Sequence, residues 1–249
     1  FSPYAIGNTD SHNLSRSDRL LHEYTFEDDR SLVCSGNCPV ITDEHARNGR
    51  YSMRSHWNED LRNDRRSEGV FPLESRRMEW DQNYWIGFSI LLPEDRVRPK
   101  QFQIVAQIHD TNAPNDKREG PVFTLETSTA NWRIRTRGHR EQNQNVELNE
   151  IEEDLGKWVD WVLHYRPSWR GTGILRVWKD GKLVNVRKGA TAHRREIGPY
   201  FKIGIYKGPD DSTPQTVFHD DVRVAFGPKA SFTDVDPALL CVKDVPNQE

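Results

Sequence analysis

"YFKIGIYKG", Tyr200 to Gly208, alternates with a period of two. Residues two apart share one face of a strand. Phe201, Ile203 and Ile205 therefore make an apolar face suited to a core. Tyr200, Lys202, Gly204 and Tyr206 make the other face, with a glycine gap between an amine and a phenol. A glycine inside a strand marks a bulge or a close approach to the backbone. The same pattern also describes an edge strand with a solvated polar face, and this stretch alone does not separate the two.

Three more segments divide in the same way. In "QFQIVAQIH", Phe102, Ile104, Ala106 and Ile108 are predicted to face the core. Gln101, Gln103, Val105, Gln107 and His109 fall opposite, so Gln107 and His109 project side by side. A lone histidine is more often structural, but a glutamine two residues away shifts that balance. In "DRRSEG", Arg66 and Glu68 share a face with Asp64 ahead of them. An arginine held by carboxylates is pre-organised to grip a further carboxylate in bidentate fashion, although an ordinary exposed ion pair is the commoner case. In "NWRIRTRG", Arg133, Arg135 and Arg137 share a face. Three like charges in a row need something acidic over them, either from within the protein or from a polyanionic ligand.

Short strand-like runs between turn signals fill most of the remainder: "RYSMRSHW", "NYWIGFSILLP", "PVFTLETS", "KWVDWVLHYRPS", "GILRVWKDGKLV" and "TVFHDDVRVAF". The "KDGK" at Lys179–Lys182 is a hairpin turn, because Asp-Gly tolerates positive φ. "EQNQNVELNEIEEDLG", Glu141 to Gly156, reads as a polar loop or a short helix. This order of elements predicts an all-β, antiparallel sandwich of jelly-roll type with a cleft, one domain over residues 1–249. The polar stretch Phe1–Ser17 is expected to wrap loosely over it.

Composition sets limits on function. The chain has 249 residues, 35% of them hydrophobic, with 8 Trp, 10 Phe and 7 Tyr, enough for a substantial core. Net charge is −3, so no global basic field calls for nucleic acid. No apolar run approaches membrane-spanning length. Of the 3 cysteines, Cys34 and Cys38 lie in "CSGNC", a turn-like loop that a disulfide could close, leaving Cys241 over. A disulfide would point to export; two free thiols is the alternative. "NLS" at Asn13 is a glycosylation sequon and weak evidence for secretion. The chain is expected to act as a secreted monomer.

One inventory therefore recurs on faces opposite apolar ones: Arg, Gln, His, Lys and Tyr. It matches what β-elimination on a uronic acid polymer requires. The carboxylate must be neutralised so that the C5 proton becomes acidic, and Arg66, Gln107 and His109 can supply donors to the developing enolate. A base must take the C5 proton and an acid must protonate the leaving 4-oxygen. Tyr206 is the candidate for both, with Lys202 beside it. Gln103, Tyr200 and the arginines 133, 135 and 137 are the candidate substrate-binding residues.

"RSE", "QIH" and "YFKIGIY", in this order, resemble the polysaccharide lyases with a β-jelly-roll fold. The flanking "WIGFSILLP", "GKWVDWVLHYRPSWRGTGILRVWKDGKLV" and "VFHDDVRVAF" are most similar to the glucuronan lyase and heparinase branch. Jelly-roll alginate lyases share the three short motifs. The resemblance implies that Arg66 and Gln107 neutralise the uronate, that His109 assists or acts as base, that Lys202 supports charge, and that Tyr206 is the acid, and the base in syn elimination. No cofactor is required for that chemistry. The family's Leu after the Glu is Gly69 here, which leaves Arg65 as an alternative to Arg66 by a one-residue slip. The likeness inclines toward a glucuronate polymer, where the C5 hydrogen and 4-oxygen lie on one side of the ring. A structural Ca2+ held by Glu27 and Asp220 is a further expectation; two solvated acidic turns is the alternative. A non-catalytic acidic-polysaccharide-binding module on the same sandwich is the competing function. A glycoside hydrolase ranks last, because no strand carries the closely spaced carboxylates it would need.

Overall fold

The computed structural model describes residues 19–28, 32–61, 64–71, 77–111, 119–127 and 130–239. The Phe1–Ser17 segment, Asn13 and Cys241 lie outside them. Among the described residues, fifteen strands form two antiparallel sheets. In chain order they are β1 (Leu20–Tyr24), β2 (Val33–Gly36), β3 (Val40–Thr42), β4 (Ser52–Trp57), β5 (Arg66–Val70), β6 (Tyr84–Leu91), β7 (Gln103–His109) and β8 (Phe123–Thr127). There follow β9 (Asn131–Thr136), β10 (Gln144–Glu150), β11 (Trp158–Arg166), β12 (Gly173–Lys179), β13 (Lys182–Gly189), β14 (Tyr200–Lys207) and β15 (Gln215–Phe226). One sheet runs β13-β12-β11-β6-β15-β4-β3, with β1 also paired to β15; the other runs β10-β9-β8-β7-β14-β5-β2. The architecture is the β-sandwich jelly roll that the alternation predicts.

The core fills the space between the sheets. Ile86, Phe88, Ile90, Trp161, Leu163 and Tyr165 face it from one side, and Phe123, Leu125, Trp132, Ile134, Phe201, Ile203 and Ile205 from the other. The Asp-Gly hairpin joins β12 to β13, with Asp180 at φ 47° and Gly181 at φ 73°. Residues 144–150, read from sequence as loop or helix, are instead the edge strand β10, followed by a single 3-10 turn at Ile151–Glu153. An edge strand needs a core-facing stripe only on one side and tolerates many polar residues, so its alternation is faint.

One departure moves side chains. The pairing of β7 shifts register between Ile104 and Ala106 against β8, and β14 shifts between Ile203 and Tyr206 against β7. A bulge adds one residue and reverses the faces beyond it. Val105, predicted outward, is in the core, and Ile104, predicted inward, lines a cavity on the outer face. Gln103 is correspondingly buried, with Arg96 donating to its Oε1 at 3.4 Å, so it does not reach that cavity. This corrects its reading as a substrate-binding residue. The Val105 carbonyl is met from the opposite sheet by His219 Nε2 at 2.9 Å.

His219 is fully buried, and burial lowers its pKa to about 3. The unfolded imidazole, at its ordinary value near 6.5, binds a proton that the native one refuses, so this group subtracts stability as pH falls from about 6.5 toward 3. His219→Leu is expected to lower unfolding free energy by about 1–3 kcal/mol at pH 7. It should also lose less further stability than wild type between pH 7 and 5. Urea unfolding at both pH values checks this.

Candidate active site

Strand pairing sets the site in rows. Residues directly opposite on antiparallel strands point to one face. Lys202 pairs with Gln107 on one side and Val70 on the other, and Gln107 pairs with Thr124. Tyr206 pairs with Arg66 and Ile104, Ile104 with Glu126, and Glu126 with Arg133. Tyr200 pairs with His109. The result is a cavity of about 420 Å³ lined by Arg66, Gln107, His109, Tyr200, Lys202 and Tyr206, closed on one side by Glu119, Gly120 and Pro121. Gly204 sits between the amine and the phenol at φ 128°; a Cβ there would overlap the Ser67 carbonyl and lie 2.7 Å from Glu68 Cα. The glycine lets β5 approach and so brings Glu68 under the site.

Glu68 is the hub. It is 2% exposed. Lys202 Nζ donates to its Oε2 at 3.2 Å, Gln107 Nε2 donates to its Oε1, and Arg66 Nη1 lies 4.0 Å away. Burial raises its pKa, opposed by Lys202, Gln107 and Arg66. Arg66 is also held by Asp64 at 2.8 Å. Its guanidinium carbon lies 5.2 Å from the Tyr206 ring centre. Arg65, the alternative by register, is exposed, and its Nη2 lies 3.5 Å from the Tyr206 hydroxyl. The two guanidiniums thus flank one phenol.

His109 Nδ1 lies 2.8 Å from the Asp110 carbonyl, which can only accept, so Nδ1 carries the proton. Burial first, and then Lys202, Arg66 and Arg137, lower its pKa. The imidazole is therefore neutral near pH 7 and presents Nε2 as an acceptor. In that form it cannot donate to a uronate carboxylate. Tyr200 lies beside it with its ring tilted by 34°, ring centres 5.8 Å apart, and Arg77 lies over the tyrosine at 4.2 Å.

The arginine row is answered from within. Glu126, 1% exposed, accepts from Arg133 Nε at 2.9 Å and from Arg135 Nη2 at 3.4 Å. Arg133 and Arg135 border a second cavity of about 600 Å³ with Gln101, Phe102, Asn131 and Glu147, along the Tyr206 row. Arg137 does not line either cavity; its Nη1 donates to the Pro121 carbonyl at 2.6 Å and braces the loop that closes the first. Glu119, in that loop, is bound by His193 and Arg195 at 3.1 Å each. Nothing in local periodicity announces a loop residue of this kind, whereas Glu68 was visible beside Arg66.

Cys34 and Cys38 form a disulfide. Glu27 and Asp220, the expected calcium ligands, both accept backbone amides of the 47–51 segment. Glu27 Oε1 accepts the backbone N–H groups of Arg50 and Tyr51, at 2.9 and 2.8 Å. Asp220 accepts those of Arg47, Asn48 and Asp221 at 2.8, 3.4 and 2.7 Å. Amide hydrogens thus meet Glu27 Oε1 and both oxygens of Asp220. Burial and the neighbouring Asp221 raise the pKa of Asp220 to about 8.

The profile of one family, described as "Polysaccharide lyase", matches residues 14–223. This chain belongs to the polysaccharide lyase family. Among solved structures it is similar to an endo-β-1,4-glucuronan lyase from the fungus Trichoderma reesei, at 18% identity over 88% of this chain and 94% of that one, TM-score 0.62. It is also similar to alginate lyase A1-II', a member of polysaccharide lyase family 7, at 14% identity over 71% and 80%, TM-score 0.54. The binding domain of botulinum neurotoxin DC shares the fold at 11% identity over 91% of this chain and 52% of that one, TM-score 0.60. A comparison with curated proteins gives no match. As a polysaccharide lyase, the chain is an enzyme acting on a polysaccharide, and the cavity around Glu68 is the candidate centre.

Removing the Glu68 charge should expose its structural weight. Glu68→Gln leaves a buried Lys202 ammonium without a counter-charge, at a cost of about 3 kcal/mol in unfolding free energy. Adding Lys202→Met should restore most of that loss, as read by chemical denaturation of the single and double variants.

Proposed function

We propose that this lyase cleaves a 1,4-linked glucuronate polymer by β-elimination. One observation carries the reading. Tyr206, flanked by two guanidiniums, shares a cavity with Arg66, Gln107, Lys202 and His109. The uronate carboxylate is taken by Arg66, by the second amide hydrogen of Gln107 and by Lys202, whose positive charges and donors stabilise the enolate as it forms. Tyr206, as phenolate, takes the C5 proton. The C4–O4 bond then breaks, C4 and C5 become double-bonded, and the same proton passes from Tyr206 to the leaving 4-oxygen. One group can do both because, in glucuronate, hydrogen and leaving group lie on one side. His109 Nε2, an acceptor, receives a sugar hydroxyl. The glucuronan lyase likeness supports this choice of polymer. The Cys34–Cys38 disulfide supports action outside the cell, by a single chain that carries every group named.

The His109 tautomer favours a second reading. A neutral Nε2 could itself take a C5 proton, with Tyr206 as acid only, on an anti substrate such as guluronate. The assay is absorbance of the 4,5-unsaturated uronate on glucuronan, poly-mannuronate, poly-guluronate and heparin. Growth on glucuronan supports the first reading, and growth on poly-guluronate alone supports the second. Reducing ends without absorbance overturn both.

On the cleaved polymer, Tyr206→Phe should lower kcat about 10³-fold or more, with retention in a polymer-containing affinity gel unchanged. Gln107→Ala should cost about 10²–10³ in kcat. A Tyr206→Phe enzyme that keeps most of its turnover removes the phenol from the mechanism.

A further inference from the structure

The disulfide loop lies against the site's cations. Among the described residues β2 is an edge strand paired to β5, with Cys34 opposite Gly69, Ser35 opposite Glu68 and Gly36 opposite Ser67. Beyond it the chain turns at Gly36, φ 77°, and Asn37 donates twice to the Arg66 carbonyl, from its backbone N at 3.1 Å and its Nδ2 at 3.0 Å. Gly36 packs on the arginine stem: a Cβ there would overlap Arg66 Cγ and lie 2.8 Å from the Arg66 carbonyl. Ser35 Oγ accepts from Lys202 Nζ at 3.5 Å. Every residue between the two cysteines therefore touches Arg66 or Lys202. Both cysteines are exposed.

We propose that the Cys34–Cys38 loop is a positioning element of the active site, which sets the Arg66 side chain against Tyr206 and the substrate carboxylate, and that its disulfide makes turnover sensitive to reduction. The inference rests on the elimination chemistry for its kinetic meaning, but its geometry stands apart from it. A four-residue strand at a sheet edge is weakly held, and the covalent tie keeps the Asn37 donors over the Arg66 carbonyl. With the tie open, Arg66 keeps Asp64 but loses the surface that fixes its stem. Misplacement of about 1 Å in a charge-stabilising group is enough to cost up to about 10²-fold in rate. A dithiol does the opening: the S–S bond breaks, two thiols form, and the reductant becomes its own disulfide.

The test is a coupling measurement. Cys34→Ser/Cys38→Ser, or wild type under dithiothreitol, should lose about tenfold in kcat, with KM changed less than about threefold, and reoxidation should restore the reduced wild type. Gly36→Ala, with the disulfide intact, should lose kcat as well. In an Arg66→Lys background, opening the disulfide should change kcat by less than about twofold, because effects that pass through one residue do not add. Equal losses in both backgrounds, or no loss in the Arg66 protein, overturn the proposal. Thermal melting of each variant separates these effects from unfolding. Should no uronate polymer be cleaved at all, the proposed function fails. The positioning role is then read from retention in a polyglucuronate affinity gel. Opening the disulfide should weaken retention with Arg66 present and leave it unchanged in the Arg66→Lys background, and equal retention in all four proteins refutes it.

Discussion

A single buried carboxylate organises this molecule's polar face. Taking an isolated carboxylate out of water costs several kcal/mol even after relaxation, and the loss is offset only by close, well-aligned partners. Glu68 has three, each on a different segment of the site: Lys202 on β14, Gln107 on β7 and Arg66 on its own strand. Because none can leave without stranding the others, the carboxylate fixes the relative positions of three donors that a substrate would meet. Burial raises its pKa, and Lys202, Gln107 and Arg66 oppose that shift. The site is a network made for one geometry, and each strand brings one corner of it.

The sheet supplies the geometry before any side chain does. Adjacent antiparallel strands place opposite residues about 5 Å apart on one face, so a row across β5, β14, β7, β8 and β9 is a ruler. The Tyr206 row runs Arg66, Tyr206, Ile104, Glu126, Arg133. It carries Arg66 and the Tyr206 phenol at one end and Arg133, neutralised by Glu126, at the other; Arg135 ends the neighbouring row through Lys202, Gln107 and Thr124. A polymer lying along it would meet cations at both ends, with an apolar residue between. Glu126 damps the charge of Arg133 and Arg135, so on the proposed substrate the far end would orient a sugar without competing with the cations around Glu68.

Much of this was legible in the sequence, and the reason is periodicity. Lys202 and Tyr206 stand in one run and Gln107 and His109 in another, each with an alternation that identifies the outer face, and the two runs pair directly. What escaped is what periodicity cannot carry. The bulge in β7 exchanges the faces of Gln103, Ile104 and Val105, and the Val105 carbonyl it turns inward is satisfied by His219 from the opposite sheet, a contact distant in sequence. β10 hides because a polar edge strand looks like a loop. Glu119 belongs to a loop whose position depends on the Arg137 brace. That Glu27 and Asp220 accept backbone amides of one segment, residues 47–51, is likewise a contact distant in sequence.

The fold itself does not choose the chemistry. The same sandwich serves a neurotoxin binding domain at a TM-score of 0.60 and a glucuronan lyase at 0.62, and fold alone does not imply function. A surface that only bound an acidic polymer would need exposed cations and flat aromatic faces. It would have no use for a carboxylate buried beneath its cations, which weakens their net charge toward an anion. Here Glu68 reduces the attraction of Lys202 and Arg66 for any anion. A site that gives up binding strength in this way favours groups that are rigid over groups that are merely positive. Rigid donors gain most as charge builds on the substrate carboxylate. On the proposed elimination, the same arrangement that makes a mediocre anion trap makes a suitable enolate cradle, with the phenol between Arg65 and Arg66 as the group that would carry the proton.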